Sequence, residues 1–538
     1  MNRLRITLAQ IDFVVGRIEG NRDRILEIIE DARQREVDLV LFPELCLTGY
    51  PPEDLLLRKD FLDRVDSALA DIAQATRGIA AVIGFPERRA GRLFNSAAIL
   101  KDGNQIQTYQ KRLLPNYGVF DEKRYFDEGM SPCVFEMNGM NIGLTLCEDI
   151  WHEGPVEASV AAGADLIVSL NASPFHSGKL DERHRLVQAR AISHQTPIIY
   201  LNLVGGQDEL VFDGASFAID SQGTLCFQAP EFKESVEVIE MEAQPLPRLL
   251  QGLMTPPLGE EARIYQALVT GIRDYVQKNG FQGAVLGLSG GIDSALTLAL
   301  AADALGAEQV EVILMPSRYT ADMSNEDARL EAEALGCKMH TIPIEPAFKR
   351  FLEMLEPAFE GRPADLTEEN IQARCRGILL MALSNKKGKI LLTTGNKSEM
   401  SVGYATLYGD MAGGFAPLKD IPKMLVYRLS RYRNCVSPVI PERVLIRAPS
   451  AELRPDQRDE DSLPPYPVLD DILERYIERD QSITDIIAAG LPEQDVRRVT
   501  RMVDRNEYKR RQAPPGVKVT PRAFGRDRRY PMTHGFSH

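Results

Sequence analysis

No stretch of this 538-residue chain approaches the uninterrupted apolar length of a bilayer span, so a membrane-spanning role is not expected. The opening residues, Met1-Asn2-Arg3-Leu4-Arg5, run straight into a strand-like segment and lack the apolar core of a secretory leader. Seven cysteines, at positions 46, 133, 147, 226, 337, 375 and 435, form no Cys-x-x-Cys pair and are odd in number. That disfavours a disulfide framework or a structural zinc site and points to a reducing, cytoplasmic compartment. Internal repeats and low-complexity runs are missing too. Positive charge is in deficit: 63 Lys+Arg against 77 Asp+Glu leave a net charge of −14, which argues against wholesale nucleic-acid binding. One stretch runs the other way, with twelve Lys or Arg between Arg497 and Arg529. It reads either as a solvated face or as a lid over a polyanionic substrate.

What is present is an ordinary globular composition, 44% hydrophobic and 26% charged, with length enough for two large domains. From residue 1 to about 245, short apolar strands alternate with amphipathic helices. Ile6–Ala9, Leu39–Phe42, Ala80–Phe85, Ser96–Leu100, Ile142–Leu146, Leu166–Leu170, Pro197–Leu203 and Ser216–Asp220 read as strands, and Asn21–Arg35 as a helix. This predicts a layered α/β sheet domain. Pro245, Pro247, Pro256, Pro257 and Gly259 then cluster as linkers do, and the predicted domains are 1–250 and 251–538. Beyond the linker, a helix at Glu261–Lys278 precedes strands near 285–288, 310–315, 338–342 and 390–394. That order predicts a doubly wound parallel sheet, whose ligands sit at the carboxyl ends of strands. Gln512 to His538 has little periodicity and reads as a tail.

The second half is organised around Ala-Val-Leu-Gly-Leu-Ser-Gly-Gly-Ile-Asp-Ser-Ala-Leu, residues 284–296. An apolar strand runs into a glycine turn and then a helix N-terminus, where backbone N–H groups and the helix dipole attract anions. Gly290 and Gly291 let the backbone approach phosphate oxygens, Ser289 and Ser294 add hydroxyls, and Asp293 can hold a magnesium ion. No lysine follows the glycines, which excludes the phosphate loop of kinases and GTPases. The turn resembles the pyrophosphate loop of enzymes that split ATP into AMP and pyrophosphate to activate a carboxylate or carbonyl.

In the first half, Glu44 lies in Leu-Phe-Pro-Glu-Leu, Lys111 in Tyr-Gln-Lys-Arg-Leu-Leu-Pro-Asn-Tyr, and Cys147 ends a strand in Leu-Thr-Leu-Cys-Glu-Asp-Ile-Trp. Singly each is commonplace, and a lone cysteine is more often a small core residue. Together, in that order, they resemble the nitrilase (carbon–nitrogen hydrolase) family over about the first 240 residues. The chemistry suits the set: a carboxylate takes the thiol proton as the amide is attacked, and an ammonium stabilises the oxyanion. The resemblance implies an α-β-β-α layered fold with Glu44, Lys111 and Cys147 catalytic. It further implies Glu122 as a supporting carboxylate, and Tyr117, Glu148, Ser173 and Lys179 as holders of the α-amino and carboxylate groups of glutamine.

The second half carries Met315-Pro316-Ser317-Arg318, Asn370-Ile371-Gln372-Ala373-Arg374, Thr393-Thr394-Gly395-Asn396-Lys397-Ser398-Glu399, Tyr408-Gly409-Asp410, Lys423, Pro449-Ser450-Ala451-Glu452-Leu453 and Glu507-Tyr508-Lys509. This series resembles the NAD synthetase family, and the whole chain its glutamine-dependent branch. The resemblance implies an ATP-pyrophosphatase-type domain that converts deamido-NAD to NAD through an adenylate, with Mg2+ accompanying ATP and glutamine supplying ammonia. Carried over, Ser289, Gly290, Gly291, Ile292, Asp293, Ser294, Thr394 and Lys423 would bind ATP. Asn370, Glu399 and Lys509 would bind deamido-NAD, and Asp293 and Glu399 the metal. A homo-oligomer is implied, with no nucleic-acid or membrane partner. Two departures stand out. Ser450 replaces the usual threonine but keeps the hydroxyl. Leu407 and Gly414 stand where ammonia-only enzymes carry a lysine and an aspartate.

Fusion of the halves predicts delivery of ammonia within the protein, since ammonia in neutral water is mostly non-nucleophilic ammonium. Two rival readings stay open on sequence. One is a tRNA-modifying ligase, whose RNA binding would show a steep salt dependence. The other is an N-terminal half that serves only as a scaffold, against which the intact Glu44, Lys111 and Cys147 speak.

Overall fold

Period-2 alternation decides which way the strands of the first half face. The computed structural model of the protein describes residues 3–242, 247–455 and 457–535; Pro245 of the predicted linker and the last three residues of the tail lie outside them. The chain forms two compact units, 1–259 and 260–538.

Strands of the first unit are β1 (Arg3–Gln10), β2 (Leu39–Leu41), β3 (Ala80–Arg89), β4 (Arg92–Lys101), β5 (Asn104–Gln110), β6 (Val134–Met137), β7 (Met140–Leu146) and β8 (Leu166–Asn171). They continue with β9 (Ile198–Asn202), β10 (Val204–Gln207), β11 (Leu210–Asp213), β12 (Phe217–Ile219), β13 (Leu225–Gln228), β14 (Ser235–Glu242) and β15 (Arg248–Leu249). Two larger sheets result: seven strands in the order β15-β14-β1-β2-β3-β4-β5, and six in the order β13-β12-β9-β8-β7-β6. Leu4, Ile6, Leu8, Leu39 and Leu41 of the first sheet share one apolar core with Ile142, Leu144, Leu146, Leu166, Val168 and Leu170 of the second. The intervening side chains point outward. Val40 and Ala81 pack under the helices Ile18–Gln34 and Lys59–Ala75, and Ile167 packs under Glu153–Ala161 and Lys179–His194. The expected α-β-β-α layering is therefore present. Residues 251–255, assigned on sequence to the second domain, are hydrogen-bonded to the first: Gly252 N donates to Cys226 O and Thr255 N to Gln228 O.

The second unit holds β16 (Ala284–Gly287), β17 (Val310–Leu314), β18 (Lys338–Thr341) and β19 (Ile390–Leu392), all parallel, in the order β18-β17-β16-β19. Val285, Ile313 and Leu391 on one face pack against Leu380 and Leu383 of the helix Leu366–Lys387. The apolar helix Ile292–Leu305 packs against β16 and β17. The strand order turns back between β16 and β19, and their carboxyl ends frame the crevice where ligands of such sheets bind. A helical cluster built on Leu469, Ile472, Ile477, Val496, Val499 and Val503 completes the unit. The basic stretch 497–529 is not a uniformly solvated face, because Arg510, Lys518 and Arg528 are buried.

Candidate active sites

Glu44 follows β2, Lys111 follows β5 and Cys147 follows β7, so the two larger sheets both deliver residues to one place. Glu44 and Lys111 are fully buried. Lys111 Nζ donates to Glu44 Oε1 at 2.7 Å and to Glu122 Oε1 at 2.8 Å. Asn95 Nδ2 donates to Glu44 Oε1 at 2.8 Å, Ala172 N to Glu44 Oε2 at 3.0 Å, and the Tyr50 hydroxyl to Glu122 Oε1 at 2.9 Å. Burial works against the Lys111 charge, but Glu122 and Glu44 outweigh it and hold the ammonium well above the usual lysine range. Burial, with Glu44 adding, raises Glu122 above the usual carboxylate range even though Lys111 opposes the shift.

Cys147 stands at φ +42°, a left-handed conformation that a side chain adopts only when its surroundings enforce it. Its N–H donates to Leu170 O at 3.0 Å, and the short helix Glu148–Trp151 begins immediately after it. Burial pushes the thiol well above the usual cysteine range; Glu44 adds to this and Lys111 opposes it. The resting sulfur is thus protonated, and attack requires a base.

The residues expected to hold glutamine lie around this centre. The Tyr117 hydroxyl donates to Glu148 Oε2 at 2.9 Å. Ser173 Oγ accepts from Arg183 Nε at 3.3 Å, and Arg183 is itself neutralised by buried Asp213. Lys179 Nζ sits 3.7 Å from the centre of the Trp151 ring. Asn95 and Tyr50 complete the hydrogen bonding of the two glutamates and carry no motif. The signal for Asn95 is a polar residue within an apolar run; Tyr50, in Thr-Gly-Tyr-Pro-Pro, has none.

In the second unit, the turn after β16 and the turn after β19 line a cavity of about 310 Å³. Ser289 to Ser294, Thr394, Glu399 and Lys423 all border it. Gly290 has φ +79°, and a Cβ there would fall 2.2 Å from Ser324 O. Ser289 Oγ lies 3.0 Å from Ser294 Oγ and accepts from Gly291 N at 3.2 Å, so the hydroxyls hold the turn. Lys423 is paired with Asp293 and lies 3.6 Å from Glu399 Oε1. Asn396 Nδ2 donates to Asp293 Oδ1 at 2.8 Å. Burial, and Asp293 nearby, raise Glu399 above the usual carboxylate range. Asp459, also on the wall, has Oδ1 buried with no hydrogen-bond partner.

Asn370 and Lys509 are not on the wall of this cavity. Asn370 Oδ1 accepts from Thr406 Oγ1 at 2.8 Å, and Lys509 Nζ donates to Gly403 O and Ala405 O at 2.7 and 2.8 Å. Both brace the loop 403–410, whose Tyr404, Thr406, Gly409 and Asp410 do line it. Arg376 lines it as well. Its Nε donates to Met315 O at 3.3 Å, and it has no ion pair among the described residues.

These two sites, a thiol–carboxylate–lysine centre and a nucleotide-sized cavity behind a phosphate turn, define a two-part enzyme. The carbon-nitrogen hydrolase family matches residues 5–245, and the NAD synthase family matches residues 264–513. The chain belongs to the glutamine-dependent NAD(+) synthetase family. The protein of that name from Xanthomonas campestris pv. campestris is 52% identical over 99% of this chain and 98% of its own. The one from Thermotoga maritima is 44% identical over 100% and 99%. A solved glutamine-dependent NAD+ synthetase from Acinetobacter baumannii, in complex with ADP, is 46% identical and covers 98% of both chains at a TM-score of 0.82. The enzyme from Cytophaga hutchinsonii, 24% identical at a TM-score of 0.86, shares the fold.

Proposed function

We propose that the chain makes NAD from deamido-NAD and ATP, taking its nitrogen from L-glutamine, with Glu44, Lys111 and Cys147 as the amidase centre. The observation that carries this reading is the buried Lys111 ammonium held between Glu44 and Glu122, in the unit that also holds Cys147 at a strained turn. Cys147 Sγ attacks the carboxamide carbon while Glu44 takes the thiol proton. Lys111 and a backbone N–H beside the cysteine stabilise the oxyanion. Glu44 returns the proton to the leaving nitrogen, ammonia departs and a thioester remains. Water, deprotonated by Glu44, then releases glutamate and restores the thiol. Tyr117, Glu148, Ser173 and Lys179 hold the amino-acid end of glutamine, and Glu122 keeps Lys111 charged.

In the second unit the nicotinate carboxylate attacks the α-phosphorus of ATP, expelling pyrophosphate, and ammonia then displaces AMP from the adenylate. Ser289, Gly290, Gly291, Ile292, Asp293, Ser294, Thr394 and Lys423 bind ATP. Glu399, with Asn370 and Lys509 through the loop they brace, holds deamido-NAD. Arg376, half-buried and without an ion pair among the described residues, supports an anionic occupant, since a guanidinium partly withdrawn from water favours a counter-charge. A magnesium ion fits as well. Asp293, Glu399 and Asp459 face the single ammonium of Lys423, and one Asp459 oxygen is unsatisfied. Two protein carboxylates plus substrate phosphates are a usual magnesium environment. When bound, the ion neutralises phosphate charge; Asp293 and Glu399 would hold it. The protein works in a reducing cytoplasm, in keeping with seven unpaired cysteines, and as a homo-oligomer, which sedimentation would check.

The test is one incubation with deamido-NAD, magnesium-ATP and glutamine. NAD, AMP, pyrophosphate and glutamate should appear in near-equal amounts. Cys147→Ala should abolish synthesis from glutamine and leave synthesis from ammonia intact. A variant that still uses glutamine would overturn the amidase assignment.

A further inference from the structure

The lysine and the cysteine of the amidase centre come from different sheets, and the surface between those sheets is apolar. Apolar packing is non-directional and does not by itself hold two side chains to a fraction of an ångström. Asp149, two residues after Cys147, is fully buried and joins the two strand ends. Each of its oxygens accepts two hydrogen bonds. Oδ1 takes Arg112 N at 3.2 Å and Leu113 N at 2.9 Å, the two amides that follow Lys111. Oδ2 takes the Tyr109 hydroxyl at 2.7 Å, two residues before Lys111, and Leu146 N at 3.1 Å, the amide just before Cys147. One carboxylate therefore grips the chain on both sides of the lysine and the shoulder of the cysteine turn.

We propose that Asp149 is the positioning residue of the amidase centre: it sets Lys111 of the seven-stranded sheet against Cys147 of the six-stranded sheet. It touches no substrate and acts through those two residues. The geometry explains how Cys147 is kept at φ +42°, with Leu170 O holding its own N–H and Asp149 holding the amide before it. Glu44 makes the corresponding link on its own side, accepting from Ala172 N beyond β8 of the second sheet. With both ties made, all three reacting groups sit in one frame. With the Asp149 tie lost, the oxyanion partner and the nucleophile can drift apart while the apolar sheets stay packed.

This inference rests on the glutaminase reading above, and ammonia-driven NAD synthesis serves as the internal control, because Asp149 lies in the other unit. Asp149→Asn keeps the volume but sets an NH2 where one oxygen served two of the four donors. Tyr109→Phe removes a single bond and is the milder variant. Both are assayed in the full chain for glutamine hydrolysis and for NAD synthesis from ammonium. Asp149→Asn should lower kcat for glutamine hydrolysis by about 30- to 100-fold, with KM changed less than about threefold, as misplacement by about an ångström does. Tyr109→Phe should lower it by about three- to tenfold in the same manner, and neither should alter the ammonia-driven rate. A role in folding alone would lower both activities together, and a substrate-binding role would raise KM; either result overturns the proposal. So does a wild-type kcat in Asp149→Asn. If the wild-type chain hydrolyses no glutamine at all, the glutaminase reading itself falls, and this inference with it.

Discussion

At Glu331 the sequence shows only a helical acidic residue, yet the structure buries it, leaving Oε1 without a hydrogen-bond partner and Asp327 as its charged neighbour. Burial pushes its carboxyl up to about 8, and the Asp327 charge adds to the shift. The folded chain therefore keeps a proton that the unfolded chain, near the ordinary 4.5, gives up. Such a group costs no stability at acid pH and weakens the fold progressively as pH rises through about 8. Glu331→Gln should flatten the fall in melting temperature between about pH 5 and 8, and the variant should be the more stable protein at pH 9. Calorimetric scans across that range decide it, and parallel curves for the two proteins would refute it. The residue scale is also where the sequence was least legible. Glu44, Lys111 and Cys147 could be singled out because local frames mark them. Asn95, Tyr50 and Asp149 could not, because their partners lie 51, 72 and as many as 40 positions away.

Elements were read more fully than residues. β1 to β4, β7 to β9 and, in the second unit, β16, β17 and β19 announce themselves as apolar runs, since both faces are covered. β5 was missed because Asn104 to Gln107 are exposed and polar, as an edge strand tolerates. β14 was missed because its alternating valines and glutamates are only half-buried. The strand-turn-helix at 284–305 was fully legible, and a prediction belongs to it. Gly290→Ala would place a Cβ 2.2 Å from a backbone oxygen at φ +79°, so the turn must move. A non-glycine residue there costs about 1–2 kcal/mol before the clash is counted. ATP-dependent NAD synthesis should fall by about a hundredfold, as a mispositioned anion cradle implies. Glutamine hydrolysis measured as glutamate release should persist. Equal loss of both activities would mean that the turn supports the whole fold rather than the nucleotide.

For the whole molecule, two units and two chemistries are legible in the chain, and the reason for joining them is itself chemical. The adenylate needs neutral ammonia, whereas ammonia released into water near neutral pH is mostly protonated and diluted. On the proposed assignment, a chain that makes the nucleophile at Cys147 and consumes it in its other unit gains chemically only if the nitrogen does not equilibrate with solvent on the way. The prediction is isotopic. With amide-labelled glutamine and an equimolar pool of unlabelled ammonium, the carboxamide of the NAD formed should carry the glutamine label nearly undiluted. Cys147→Ala under the same conditions should yield only unlabelled NAD, at the rate that ammonium supports alone. If the wild-type product instead carries label in proportion to the bulk pool, the two sites work independently. Their fusion would then secure equal amounts of two enzymes and not the passage of ammonia between them.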